Sequence, residues 1–216
     1  MNYFTENWVE IIEILATILS LIYLYLSIKR RISLWIFGFL CSALYAVVFF
    51  QSRFYAGMTL QFYYLFISVY GWINWKRGKE NGAEELPVSR VPKRTILYLI
   101  PISLLIFAGY YFVHAQTDSP PVVALGDSLF TALSIVATWM LAKKYIEYWL
   151  VFIVVNPLSA LLFFHQGLYP TAVLFIVYSI MAVVGYTQWK KISEYRIHKI
   201  LRCTELKNLD IRKQKS

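Results

Sequence analysis

Few side chains in this sequence could do chemistry, and those that could are set inside long apolar runs. Asn156 is the clearest, directly before Pro157. Its amide can donate and accept hydrogen bonds at once, which suits a carboxamide or a ribose. The proline after it frees a backbone carbonyl that a cavity could use. An interhelical hydrogen bond is the competing explanation for such an asparagine. Trp149 precedes Asn156 by two helical turns and points to the same helix face, so a flat ring and an amide stand together. Gln61 precedes Tyr64 by one turn. Asp127, Thr131, Ser134 and Thr138 fall at i, i+4, i+7 and i+11, one face of a helix. Asp127 and its counterpart Glu13 sit near span ends, where snorkelling to the interface also accounts for an acid. Six of the seven tryptophans, Trp35, Trp72, Trp75, Trp139, Trp149 and Trp189, lie toward one end of their runs. An interfacial aromatic belt explains most of them. Stacking on a heteroaromatic ligand, or closing an inner gate, is the functional alternative for Trp35, Trp72, Trp75, Trp139 and Trp149.

This inventory fits reversible recognition of a flat, polar molecule better than bond-making. His114, His165 and His198 are scattered, and there is no metal-ligand spacing, phosphate loop or nucleophile elbow. No metal, no cofactor and no enzymatic activity are expected.

The elements that must position these residues are membrane helices. The chain has 216 residues, 59% hydrophobic and 15% charged, a composition foreign to soluble domains. A bilayer core of roughly 30 Å needs about 20 mainly apolar helical residues. Seven segments qualify, near 10–28, 33–51, 56–75, 96–114, 125–142, 147–165 and 171–189. The ten-residue alternation of a membrane β-barrel is absent. Of the 21 basic residues, 20 fall on one side of this topology and only Arg53 on the other. The positive-inside rule then predicts an outside N-terminus and a cytoplasmic C-terminus. Topology accounts for the net charge of +9, so nucleic acid is not expected as a partner. Met1–Glu10 lacks a basic region and a clear cleavage site, so a removed signal peptide is not expected. Cys41 and Cys203 fall too far apart to bridge.

The sequence also repeats itself. Residues 11–77 slide onto 125–191 without a gap at an offset of 114, with 18 of 67 positions identical. Trp35, Gly71, Trp75 and Lys76 fall on Trp149, Gly185, Trp189 and Lys190. Three spans reverse the chain's direction, so a fourth, without a counterpart, lets both three-helix units point the same way. The expected fold is thus an all-α integral membrane protein of seven transmembrane helices. Two parallel three-helix repeats are joined by a linker helix, a 3+1+3 plan like that of SWEET-type transporters. Its parts are 1–77 (first repeat, short outside N-terminus), 78–124 (linker loop and fourth helix), 125–191 (second repeat) and 192–216. The last is a basic cytoplasmic extension of the seventh span, lying on anionic lipid.

Gly71-Trp72-Ile73-Asn74-Trp75-Lys76, the preceding Leu60-Gln61-Phe62-Tyr63-Tyr64, Trp149 with Asn156, Leu168-Tyr169 and Gly185-Tyr186-Thr187-Gln188-Trp189-Lys190 resemble the PnuC family of vitamin transporters. The resemblance covers residues 8–191. It implies a 3+1+3 bundle assembled as a homotrimer, with one path per protomer. It also implies uptake of nicotinamide riboside across a bacterial inner membrane by facilitated diffusion, with trapping by a cytoplasmic vitamin kinase. Related branches carry thiamine, riboflavin or nucleosides. The residues matching the family's binding positions are Gln61, Tyr64, Trp149, Asn156 and Tyr178. One departure bears on the cargo: where the family commonly has a second tryptophan three residues after Trp149, this chain has Phe152, which keeps a π-face and loses the indole donor. Three readings follow, in order. The first is a nicotinamide riboside carrier, the second the same machine carrying thiamine. The third is a membrane scaffold or membrane-embedded enzyme whose polar residues serve packing or chemistry.

Overall fold

The computed structural model describes residues 8–51, 55–80, 86–116, 120–165, 167 and 169–214. Arg53, Gly82, Leu168 and the N-terminal Met1–Asn7 lie outside them, as do the side chains of Glu13 and of the tail beyond Tyr195. Seven helices make up the described chain: α1 Trp8–Ile28, α2 Leu34–Gln51, α3 Tyr55–Glu80, α4 Lys93–His114, α5 Pro121–Ala142, α6 Glu147–His165 and α7 Tyr169–Gln214. Helices are the expected solution for apolar segments, because each closes its own backbone hydrogen bonds where no water is at hand. Two prolines set boundaries: Pro92 caps α4 and Pro121 opens α5, where a missing N–H costs nothing.

Among the described residues five helices are long and apolar enough to cross a membrane: α2, α4, α5, α6 and the part of α7 at Thr171–Tyr195. In α1 the described apolar stretch is shorter, Ile14–Ile28. Helix α3 falls outside the set because Gln61, Asn74, four tyrosines and a basic end dilute its apolar character. Two helices outrun their predicted spans. Helix α3 continues to Glu80, and α7 runs unbroken to Gln214, so the basic tail is helical.

The helices that pack on one another are α1 with α2, α2 with α3, α3 with α5, α5 with α6, α6 with α7, and α7 with α1. These six contacts close a ring. Helix α4 packs chiefly on α5, outside the ring, and none of its residues is buried.

Residues 114 apart do the same structural work. The α1–α2 and α5–α6 corners both turn through a non-glycine residue in the left-handed region, Arg30 (φ 56°) and Lys144 (φ 55°). At each, two backbone bonds close a Schellman motif. Arg30 and Arg31 N–H donate to the carbonyls of Ser27 and Leu26, and Lys144 and Tyr145 N–H to those of Leu141 and Met140. A glycine would be the relaxed choice at these positions. At Lys144 the side chain is used: it is 2% exposed and its ammonium lies 4.2 Å from the centre of the Trp75 ring.

The shared Trp and Gly positions form two further copies of one device. Trp35 and Trp75 meet edge to face at 5.6 Å, Trp149 and Trp189 at 5.7 Å. Gly71 faces the Trp35 ring and Gly185 the Trp149 ring. The later tryptophan of each pair reaches the neighbouring helix of the other three-helix set. Trp75 Nε1 donates to the Ala142 carbonyl at 3.2 Å, and Trp189 Nε1 to those of Ser27 and Ile28 at 3.2 and 3.3 Å. Those carbonyls end α5 and α1 and have no partner within their own helices. Asn74 Nδ2 adds a second donor to Ala142, at 2.8 Å. After α3, Ser89 bridges to Tyr145 and Glu147 accepts the Val91 N–H at 3.0 Å, tying the connecting strap to the start of α6.

Candidate functional site

Inside the ring lies a cavity of about 230 Å³, well beyond the roughly 30 Å³ that a single water takes up in the liquid. Helices α1, α2, α3, α5, α6 and α7 all contribute to its wall; α4 does not. Five pairs of residues 114 apart both line it: Leu24/Thr138, Gly38/Phe152, Ser42/Asn156, Tyr64/Tyr178 and Ser68/Ala182. The cavity therefore straddles the relation between the halves. Only the tyrosines keep their identity across it, so two similar walls present different chemistry.

Six residues singled out in the sequence meet here: Gln61, Tyr64, Trp149, Phe152, Asn156 and Tyr178. Gln61 and Asn156 are buried, at 8% and 5% exposure. Neither amide has a hydrogen-bond partner among the described residues. Two buried amides facing one cavity without protein partners are unusual, since such groups are nearly always satisfied. Several other polar groups of the wall are already engaged. Tyr178 and Ser20 share a hydrogen bond that joins α7 to α1, Ser68 donates to the Tyr64 carbonyl and Thr138 to that of Ser134. The aromatic part of the wall consists of Tyr23, Tyr64, Tyr148, Trp149, Phe152 and Tyr178, with Phe152 edge-on to Tyr148 at 5.1 Å. No acidic, basic or histidine side chain lines the cavity among the described residues.

The other candidates lie elsewhere. Asp127 sits at the far end of α5, 41% exposed, with its carboxylate 3.2 Å from His114 Nε2 on α4. Thr131 does not reach the cavity either; of that polar face only Thr138 lines it. The stripe read correctly as one face, but it runs along α5 past the cavity rather than into it. Asp127→Asn and Thr131→Val should thus shift ligand affinity by less than about twofold, the scale of a substitution away from any special feature, measured by calorimetric titration. The four tryptophans considered as a gate do not border the cavity. Trp35 and Trp75 are buried in the core, Trp72 is exposed with Lys76 over its ring, and Trp139 faces a groove beside α4. Trp149 carries both roles: it packs over Gly185 as Trp35 packs over Gly71, and it also borders the cavity with its buried Nε1 unpartnered.

Sequence reasoning missed much of the wall supplied by α1 and α2, with Ser20, Tyr23 and Cys41. Small hydroxyls and tyrosines within apolar runs carry little signal of their own. The repeat offered one, because Ser42 and Gly38 stand opposite Asn156 and Phe152.

A ring of apolar helices around a cavity with uncharged, mostly apolar walls and a few inward-facing amides and hydroxyls is the build of a multi-pass membrane carrier. The chain belongs to the family described as nicotinamide mononucleotide transporter, whose model matches residues 10–191. It is 27% identical over 206 residues to the nicotinamide riboside transporter PnuC of Escherichia coli (strain K12), with 85% of each chain covered. To the nicotinamide riboside transporter PnuC of Neisseria mucosa it is 25% identical, covering 87% of this chain and 73% of the other. The crystal structure of the vitamin B3 transporter PnuC has a similar fold, with a TM-score of 0.64 at 23% identity over 88% of this chain and 84% of that one. These relatives are transporters, not enzymes.

Proposed function

We propose that the chain carries nicotinamide riboside into the cell by facilitated diffusion, with phosphorylation by a cytoplasmic kinase trapping the product. The observation that carries this reading is the pair of unpartnered amides, Gln61 and Asn156, facing an aromatic cavity without charged residues. The amides match the ligand's carboxamide and ribose, and the ring faces suit its cationic pyridinium. The same cavity separates two cargoes that the family description and the relatives' names raise. A mononucleotide adds a phosphate, and burying that anion with no cation to pair it is costly. The uncharged wall thus favours the riboside over the mononucleotide.

The bundle is read as two parallel three-helix repeats, 1–77 and 125–191, with α4 in the 78–124 linker and the basic tail at 192–216. Support comes from the six-helix ring that excludes α4 and from the matched corners and tryptophan pairs. Rocking of the two units about the cavity would expose it to each side in turn. The proposed setting is a bacterial inner membrane, N-terminus outside and C-terminus cytoplasmic, with the chain as a homotrimer.

Purified protein in liposomes tests the proposal. Radiolabelled nicotinamide riboside is expected to equilibrate without ATP or an ion gradient, and to accumulate only when a riboside kinase is enclosed. Nicotinamide mononucleotide should neither enter nor compete. Accumulation driven by a proton gradient alone would remove the facilitated-diffusion mechanism. Displacement by thiamine with no riboside entry would move the assignment to the second cargo, for which the loss of an indole donor at Phe152 is the relevant feature.

A further inference from the structure

A second hollow lies outside the ring, between α3, α4 and α5, with a volume of about 1090 Å³. Its wall is almost wholly apolar and follows α4 from Thr95 to Val113. At 1.5 Å per residue that is about 27 Å, nearly the full hydrocarbon thickness of a bilayer. Gly109 keeps it open: a Cβ there would meet no heavy atom within 4 Å.

The two ends differ in charge. At the Thr95 end, Lys93 and Arg94 begin α4, both exposed. Lys143, which caps the C-terminus of α5, holds its ammonium 5.9 Å from the centre of the Trp139 ring in the groove wall and 5.2 Å from that of Tyr70. The nearby carboxylate of Glu147 accepts the Val91 N–H. At the Val113 end stands the Asp127–His114 pair. An apolar groove of acyl-chain dimensions with cations at one mouth matches a lipid that bears negative charge.

We propose that this groove is a binding site for an anionic phospholipid, its headgroup paired with Lys143, Lys93 and Arg94 and its acyl chain lying along α4 past Gly109. The lipid then backs the contact between α3 and α5. Tyr63, in the groove wall, donates to the Ile135 carbonyl at 2.7 Å and holds those helices together. Their next residues inward, Tyr64 and Thr138, line the central cavity. Occupancy of the groove thus bears on the rigidity of the cavity wall.

The full-length protein, delipidated in detergent, would be given phosphatidylglycerol or phosphatidylcholine with identical acyl chains. Retention is read by native mass spectrometry and stabilisation by thermal unfolding. Phosphatidylglycerol should be retained preferentially, and Lys143→Gln or Arg94→Gln should weaken that retention about fivefold each. A Cβ at Gly109 enters open space, so Gly109→Leu projects into the groove and should fold normally and lose both lipids. Equal retention of the two lipids, or undiminished phosphatidylglycerol binding to Gly109→Leu, would overturn the proposal. So would a Gly109→Leu protein that loses its oligomeric state while its lipid content stays the same, since a second copy of the chain would then fill the groove.

Discussion

Asn156→Leu should weaken binding of nicotinamide riboside by about 10- to 100-fold while the protein stays folded. The side chain is 5% exposed, borders the cavity and has no protein partner among the described residues. Removing it breaks no bond inside the protein and removes a buried polar group, so stability should hold or rise slightly. The ligand loses more. A carboxamide or hydroxyl that pairs with Asn156 would be left unmet against a largely apolar wall, at a cost of about 1–3 kcal/mol. Each 1.4 kcal/mol is about a tenfold change in affinity. Titration calorimetry on purified protein, beside a thermal unfolding curve, separates the two effects. Unchanged affinity would take Asn156 out of the site, and a collapse of the unfolding curve would make it an interhelical tie instead.

The second large effect concerns folding. Gly71→Ala and Gly185→Ala should each destabilise the protein by about 1–3 kcal/mol, the usual cost of overpacking a filled core. A methyl at Gly71 would stand 2.4 Å from the Trp35 ring, and one at Gly185 2.5 Å from the Trp149 ring. Both rings are hemmed in, Trp35 being 1% exposed and Trp149 fully buried, and each already abuts its partner tryptophan. Helix propensity would favour alanine at both positions, so a loss of stability isolates the clash. Thermal unfolding in detergent reads it, with Gly109→Ala as the control that meets empty space. Pairing Gly71→Ala with Trp35→Leu should return part of the loss, the sign of a direct contact.

Much of the scaffold could be read from the chain itself. Apolar run length located seven helices to within a few residues, because the bilayer imposes that length and little else competes. The ends of α3 and α7 escaped it. Beyond Trp75 and Trp189 both helices continue into basic sequence, where hydropathy stops reporting although helix propensity does not. The site was half legible. Asn156 and Gln61 stood out because an amide in an apolar run has no cheap explanation. Tyr23 and Ser20 did not, since hydroxyls in such runs can bond to their own helix, as Ser68 does. The tryptophans misled in the other direction. Position near a span end fits a belt, a gate or a packing device equally well. Only the facing glycines and the acceptor carbonyls, brought near through the fold, distinguish the last.

The exchange of indole bonds between the halves has a consequence for how such a protein could arise. Trp75 in the first half satisfies the end of α5, and Trp189 in the second satisfies the end of α1. Neither half holds the acceptor that its own tryptophan uses. A single three-helix unit, left alone in lipid, would keep both an unmet indole donor and unmet carbonyls, and a second such unit would cure both at once. A three-helix unit of this kind is completed by a second one, and α4 is the segment that keeps the two in one chain.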